Sequence, residues 1–334
     1  MDINSTVLHF YNRSNCKMYI KSLYQIRNKE LDISNFILCF RMRYFQKINL
    51  VNSLATKKCK LNAGNITIIR GKSSLPLFGI GCYKMERHKT EKTIGLAIEN
   101  GYRLFDTAQS YENECHVGNA IKWSGLSRQE YFVSTKLSTE HGYKNTQTAL
   151  MRSLEELQLE YVDLYMVHEP SKGKILETWQ AFQELKEAGF TKEIGVSNFN
   201  IHHLEGISSA GYVMPDVNQI EHHPWHQQSS IVEYCTQRNI SIMGYCPLAR
   251  MQLKSKVVDD IATKYYKTFG QILLRWSIQR DIITIPKSTT PERILENIQI
   301  FDFSLSQDEM ESINQLECAH QIASINAIYE PWKG

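Results

Sequence analysis

The stretch GYRLFDTAQSY, from Gly101 to Tyr111, decides the fold that we predict for this chain. A short apolar strand core at 103–105 runs into Asp106, and a tyrosine follows five residues later. The same pattern, a polar residue at or near the end of a strand-like segment, recurs downstream. The residues concerned are Lys136, His168, Asn198, Gln219, Tyr245 and Lys287. Because the strands of a parallel barrel all end at the same rim, this pattern predicts a functional site at one mouth of the barrel.

Eight strand-like segments alternate with helical ones along the chain. We predict strands at 77–82, 103–108, 131–137, 162–168, 193–197, 217–221, 241–246 and 282–286. Several are near-continuous apolar runs, as a sheet buried on both faces requires. No G-x-G-x-x-G follows the first strand, which argues against a doubly wound dinucleotide fold. The prediction is an α/β protein, a (β/α)8 TIM barrel over residues 60–334, with a β-hairpin at 60–70, turning at 62–65, on the barrel floor.

Residues 1–59 differ from this body in charge. The chain of 334 residues has a formal net charge of +3, but residues 1–60 alone carry +8. We expect a poorly ordered basic extension; an organelle-targeting leader and a partner-binding element remain open alternatives. The acidic remainder gives no reason to expect nucleic-acid binding, and no apolar run approaches the length of a membrane span.

The eight cysteines are scattered without a C-x-x-C pair, which is typical of reduced cysteines in a cytosolic protein. We therefore expect a cytoplasmic monomer, or a mitochondrial one if the first 60 residues are a leader.

Residues 60–334 resemble the aldo-keto reductase family. The resemblance rests on the combination of GYRLFDTAQSYENE, YFVSTKL, VDLYMVHEP, GVSNFN, VNQIEHHP, GYCPLA and IPKSTTPERILEN. It is similar to the compact branch that includes glyoxal and 2,5-diketogluconate reductases and protozoan prostaglandin F synthases. It implies NADPH-dependent reduction of small aldehydes and ketones to alcohols.

The resemblance implies a catalytic tetrad of Asp106, Tyr111, Lys136 and His168. Carbonyl reduction needs a hydride at carbon and a proton at oxygen, and a free tyrosine has a pKa near 10. We expect the Lys136 ammonium to lower the phenol pKa, Asp106 to hold that lysine, and His168 to orient the carbonyl. Taken singly, each of these residues has an ordinary structural explanation, such as a helix cap or a solvated strand end.

The resemblance also implies a cofactor site. Ser197, Asn198 and Gln219 would hold the nicotinamide carboxamide, and Tyr245 would stack under the ring. Leu248 would lie near the pyrophosphate. The adenosine end, including the 2′-phosphate that favours NADPH over NADH, would contact Lys287, Ser288, Arg293, Glu296 and Asn297.

Three positions depart from the family pattern and concern the substrate. Cys82 stands where threonine is usual, Glu169 where tryptophan is common, and Ser138 where some relatives have an aromatic residue. We expect an open, polar substrate pocket, with Tyr83 as its main aromatic wall beside Glu169 and His168.

Two other interpretations stay open. His222, His223 and His226 near Glu221 have the residue types of a metal site, but the family has no metal here, and we expect none. A cofactor-binding regulatory protein, like the channel β-subunits that share this barrel, would bind NADPH and turn over little.

Overall fold

The computed structural model describes residues 67–70, 73–138, 142–170 and 174–323. The expected extension at 1–59 lies outside these residues. Within them the chain alternates strands and helices from residue 80 onward, in the order that the sequence predicts.

The barrel consists of eight parallel strands, each paired with its neighbours in sequence. They are β3 (Ile80–Gly81), β4 (Leu104–Asp106), β5 (Phe132–Leu137), β6 (Val162–Val167), β7 (Thr191–Ser197), β8 (Val217–Glu221), β9 (Ser241–Tyr245) and β10 (Ile283–Thr284). Each falls within or beside one of the eight predicted segments, so the TIM-barrel prediction is confirmed.

Backbone hydrogen bonds between the first and last strand segments close the barrel. The amide of Gly79 donates to the carbonyl of Thr284 (3.0 Å), and the amide of Thr284 donates to the carbonyl of Leu77 (2.9 Å). Phe78 and Thr284 form the corresponding parallel bridge. Closure removes exposed sheet edges and brings all eight carboxyl ends to one mouth.

Ten α-helices of the described chain follow or flank these strands. Most pack apolar residues on the sheet, and the others contribute to a second apolar cluster. They are α1 (Arg87–Glu99), α2 (Glu114–Ser124), α3 (Tyr143–Leu157), α4 (Ile175–Glu187), α5 (Ile201–Ser209), α6 (Ser229–Gln237), α7 (Lys256–Tyr265), α8 (Phe269–Gln279), α9 (Pro291–Ile298) and α10 (Gln307–Asn314). Leu150, Leu154 and Leu157 of α3 are buried, as their spacing predicts. No helix in these ranges has the length and apolar character to span a membrane.

Two short strands precede the barrel. Strand β1 (Thr67–Arg70) pairs antiparallel with β2 (Ser73–Pro76), with Arg70 opposite Ser73. The predicted turn at 62–65 lies outside the described residues. The pairing of 67–70 with 73–76 was not predicted from the sequence, and the predicted hairpin over 60–70 stays a prediction. The hairpin precedes Phe78 and so lies before the amino end of the first barrel strand.

Alternation along the strands separates the interior from the outer layer. On β5 the Thr135 hydroxyl donates to Glu114 of α2 (2.6 Å), whereas Lys136 donates to Asp106 on the neighbouring strand (2.7 Å). On β8 the amide of Asn218 donates to the carbonyl of Phe199, whereas that of Gln219 reaches Asp106. The period of two residues therefore directs Lys136 and Gln219 to the same interior.

Two helical glycines offer a matched test of the helix packing. A Cβ on Gly118 of α2 would lie 2.4 Å from the carbonyl oxygen of Leu157, whereas one on Gly95 of α1 would meet nothing within 4 Å. Gly95→Ala should raise the free energy of unfolding by about 0.5–1 kcal/mol through helix propensity. Gly118→Ala should lower it by about 1–3 kcal/mol, because backbone must move. Denaturant unfolding measures both; equal stabilisation by the two substitutions would contradict this packing.

Candidate active site

A buried ion pair lies at the base of the barrel mouth. The Nζ of Lys136, a residue with no exposed surface, is 2.7 Å from Oδ2 of Asp106 and donates to the carbonyl of Thr107 at 2.9 Å. The other carboxylate oxygen of Asp106 accepts hydrogen bonds from Ser134 (2.8 Å) and Gln219 (3.0 Å). The ammonium is thus neutralised and fixed in position, which a buried charge requires.

The phenol of Tyr111 lies next to this pair. Its oxygen is 3.5 Å from Nζ of Lys136, at the long end of the hydrogen-bond range. The ring packs between Tyr83 and His168, with centroid separations of 5.1 and 5.6 Å. The structure therefore brings together all four residues of the predicted tetrad.

Asn113 fixes the loop that carries this tyrosine. Its side-chain oxygen accepts a hydrogen bond from the Thr107 hydroxyl (2.7 Å), and its amide donates to the carbonyl of Cys82 (3.0 Å). The loop between β4 and α2 is thereby tied to the first barrel strand. Sequence reasoning did not single out Asn113, although it lies in the YENE segment directly after Tyr111.

The ionisation of the phenol differs from the expectation. Burial raises the pKa of Tyr111 well above its usual value, and the negative charge of Asp106 raises it further. The prediction that Lys136 lowers the pKa of Tyr111 was wrong. The Lys136 ammonium lies nearer to the Asp106 carboxylate than to the Tyr111 phenol. Tyr111 is therefore a neutral phenol at physiological pH, the form that has a proton to give.

A second group of predicted residues meets beside the tetrad. The Asn198 side chain donates to the carbonyl of His168 (3.1 Å) and accepts from the hydroxyl of Tyr245 (2.9 Å). The Ser197 hydroxyl donates to the carbonyl of Gln219 (3.0 Å). Asn198 has a left-handed backbone with φ of 64°, which asparagine tolerates better than most residues. Sequence reasoning did not foresee that the Gln219 amide contacts Asp106.

These groups line one cavity of about 820 Å³. All the predicted cofactor and substrate residues border it: Tyr83, His168, Glu169, Ser197, Asn198, Gln219, Tyr245, Leu248, Lys287, Ser288, Arg293, Glu296 and Asn297. Lining residues that the sequence analysis did not single out include Lys84, Ser110, Arg250, Met251, Thr268, Phe269 and Ala323. Most come from loops after strands, whose positions a periodicity argument does not give.

The far end of the cavity is basic. Partial burial lowers the pKa of Lys287, and the nearby Lys89 adds to that effect, while Glu86 opposes it. Arg293 lies in the first turn of α9, whose amino end already favours anions. A dianionic phosphate would balance the positive charges of Lys287 and Arg293, so these two residues fit the 2′-phosphate of NADP.

The open end of the cavity is polar. Tyr83 is 47% exposed, and half-buried Glu169 makes no hydrogen bond or ion pair with another described residue. Ser138, on the same side, accepts a hydrogen bond from the amide of Ser110 (2.9 Å). Burial raises the pKa of the Cys82 thiol far above its usual value. This thiol is fully buried and is not among the described residues that border the cavity, so it is not a nucleophile of the site.

The sequence also matches a known family model. The model of the Aldo/keto reductase family covers residues 77–317. The chain belongs to the aldo-keto reductase family. This match spans the barrel from the first strand to the helix α10 and its following turn.

Relatives and solved structures agree with this assignment. The chain is 43% identical to a glyoxal reductase of Bacillus subtilis over 72% of this chain and 89% of the relative. It is 41% identical to a 9,11-endoperoxide prostaglandin H2 reductase of Trypanosoma cruzi, over 75% and 91%. Among solved structures, an aldo-keto reductase of Bombyx mori in complex with NADP superposes with a TM-score of 0.73 at 34% identity, over 78% and 95%.

The histidines near Glu221 have roles other than a shared metal site within the described chain. His222 stacks on Trp276 of α8, with ring centroids 5.1 Å apart, and burial lowers its pKa well below the usual value. His223 contacts Glu221 at 2.9 Å. No group of three potential metal ligands was found among the residues that the structure describes.

The buried pair gives a stability prediction. Asp106→Asn leaves the Lys136 ammonium without its counter-charge, and the free energy of unfolding at neutral pH should fall by about 3–5 kcal/mol. The control is Asp260→Asn, which breaks an exposed pair with Lys256 on α7 and should change stability little. Urea unfolding compares them. Equal, small effects would show that Lys136 does not depend on Asp106 for its charge.

Proposed function

We propose that this aldo-keto reductase uses NADPH to reduce small aldehydes and ketones to alcohols, with Tyr111 as the proton donor. The observation that carries the proposal is the neutral phenol 3.5 Å from a buried, paired ammonium, facing a cavity that continues to a cationic pocket. A carbonyl bound at the open end would meet the phenol and His168 together.

The reaction divides between the bound cofactor and the protein. The dihydronicotinamide supplies a hydride to the carbonyl carbon when it is bound. Tyr111 gives its hydroxyl proton to the carbonyl oxygen, and the Lys136 ammonium stabilises the phenolate that is left. Asp106 balances the charge of Lys136 and holds its ammonium group beside Tyr111, and His168 orients the carbonyl oxygen.

The residues beside the tetrad bind and orient the cofactor. Ser197, Asn198 and Gln219 offer the hydroxyl and amide groups that a carboxamide requires, and Tyr245, fixed by Asn198, provides a face for the nicotinamide ring.

The remaining lining residues hold the other end of the cofactor. Leu248 would lie near the pyrophosphate, and Glu296 and Asn297 would lie near the adenine. Lys287, Ser288 and Arg293 would contact the 2′-phosphate and favour NADPH over NADH. The NADP bound by the Bombyx mori relative supports this choice.

The substrate follows from the open end of the cavity. The glyoxal reductase relative supports a small carbonyl compound, and the polar wall of Glu169 beside the exposed Tyr83 suits a compact, polar aldehyde. The carboxylate of Glu169, which pairs with no other described residue, would repel a substrate that carries its own carboxylate. We infer a preference for neutral carbonyl compounds over anionic ones.

The proposed reaction predicts loss of NADPH absorbance at 340 nm with methylglyoxal or 4-nitrobenzaldehyde, and slower loss with NADH. Tyr111→Phe removes the proton donor and keeps the ring, so kcat/KM should fall by about 100-fold or more. Tyr83→Phe, which alters the neighbouring exposed ring in the same way, is the matched control and should retain most activity. Undiminished turnover by Tyr111→Phe would refute the donor assignment. Tight NADPH binding without turnover of any carbonyl would favour a regulatory role.

The charge preference is tested by Glu169→Gln. The ratio of kcat/KM for 4-carboxybenzaldehyde to that for 4-nitrobenzaldehyde should rise about five- to tenfold, as expected from removing one charge a few ångströms away in a partly hydrated mouth. Glu187→Gln removes the same charge from the exposed end of α4 and should leave the ratio unchanged. An unchanged ratio in Glu169→Gln would mean that Glu169 does not face the substrate.

A further inference from the structure

Glu221 is a buried carboxylate to which the proposed reaction gives no role. It ends strand β8 two residues after Gln219, and the period of the strand places both side chains on the interior side. Gln219 reaches Asp106, so Glu221 lies one step nearer the mouth of the barrel. Its register partner on β9 is Tyr245, whose hydroxyl contacts Asn198 beside the tetrad.

Three donors converge on the Glu221 carboxylate, and two are backbone amides near the C-terminus. The amide of Ile322 donates to Oε1 (2.6 Å), and that of Ala323 donates to Oε2 (2.9 Å). Nε2 of the buried His223 lies 2.9 Å from Oε1. Because a carboxylate only accepts, Nε2 carries the proton in this contact. Burial alone would raise the pKa of Glu221, but these hydrogen bonds outweigh it and lower the pKa, so the group is ionised.

The segment held in this way borders the active-site cavity. Ala323 is one of the cavity-lining residues, and Ile322 packs against the apolar cluster that contains Trp225 and Trp276. The amides of Cys318 and His320 also donate to the carbonyl of Trp225, at 3.4 and 2.8 Å. Trp225, in the loop after β8, therefore holds the chain at Cys318 and His320. Glu221 then holds Ile322 and Ala323, the last two described residues, beside the cavity.

We propose that Glu221, oriented by His223, is a positioning residue that fixes Ile322 and Ala323 as a wall of the carbonyl-binding end of the cavity. The chemistry is that of a carboxylate clamp on two consecutive backbone amides. The effect on reduction rests on the proposed function. The attachment itself does not, because it concerns hydrogen bonds that exist without substrate.

Glu221→Gln is the first variant, because it keeps the volume and changes the donor pattern. A glutamine has one acceptor oxygen, and its NH2 group would face an amide N–H. Ala323→Pro is the second variant. It removes one of the two donated N–H groups from a partly exposed position and leaves the core untouched. The control is Glu317→Gln: Glu317 is exposed, accepts from the amides of Gln227 and Ala319, and is not among the described residues that line the cavity.

Hydrogen exchange measured by mass spectrometry tests the attachment directly on the full-length protein. In Glu221→Gln and Ala323→Pro, the peptide that contains Ile322 should exchange about tenfold faster than in the parent, while peptides from β4 to β6 are unchanged. Glu317→Gln should leave this peptide as in the parent. Unaltered exchange of this peptide in both clamp variants would overturn the proposal, whether or not the protein reduces carbonyls.

Steady-state kinetics then tests the wall. Both clamp variants should raise KM for 4-nitrobenzaldehyde about fivefold or more, with kcat and the Kd for NADPH changed less than about twofold. A change confined to NADPH binding, or a loss of kcat at unchanged KM, would overturn the assignment to the carbonyl end. A parent protein without turnover would contradict the proposed function, and the exchange result would then decide the clamp alone.

Discussion

The arrangement of this active site depends on keeping one ammonium group charged inside a closed barrel. Lys136 has no exposed surface, and its charge is tolerable because Asp106 lies 2.7 Å away and the carbonyl of Thr107 accepts a further hydrogen bond. Asp106 in turn needs Ser134 and Gln219 as donors. Three strands, β4, β5 and β8, therefore have to be in register before the phenol of Tyr111 has a cation beside it.

Much of this could be predicted from sequence, because strand ends and their order are local features. The eight strands follow from short apolar runs, and barrel closure then brings Asp106, Lys136 and His168 to one mouth. The ionisation of Tyr111 could not be predicted in this way. It depends on how deeply the phenol is buried and on how close Asp106 lies, which only the structure gives. The contact of Gln219 with Asp106 and that of Glu221 with the C-terminal amides join residues about 100 positions apart, for which spacing gives no signal.

The mouth of the barrel combines a fixed reaction centre with walls that vary. The tetrad is held by strands and by Asn113, whereas Tyr83, Glu169 and Ala323 come from loops and from the chain near its C-terminus. Such a division lets the loops change which carbonyl compound enters without disturbing the ion pair. The acid at position 169 and the amides held by Glu221 are two such features of this chain.

The most direct measurement is a crystal structure of the protein with NADP+ bound. The account predicts that the nicotinamide carboxamide contacts Ser197, Asn198 and Gln219, and that the Tyr111 oxygen keeps Lys136 as a neighbour at about 3 Å while facing the reactive carbon across a gap that fits a carbonyl group. A cofactor whose nicotinamide lies away from Tyr111, or a phenol turned out of reach of Lys136, would contradict it.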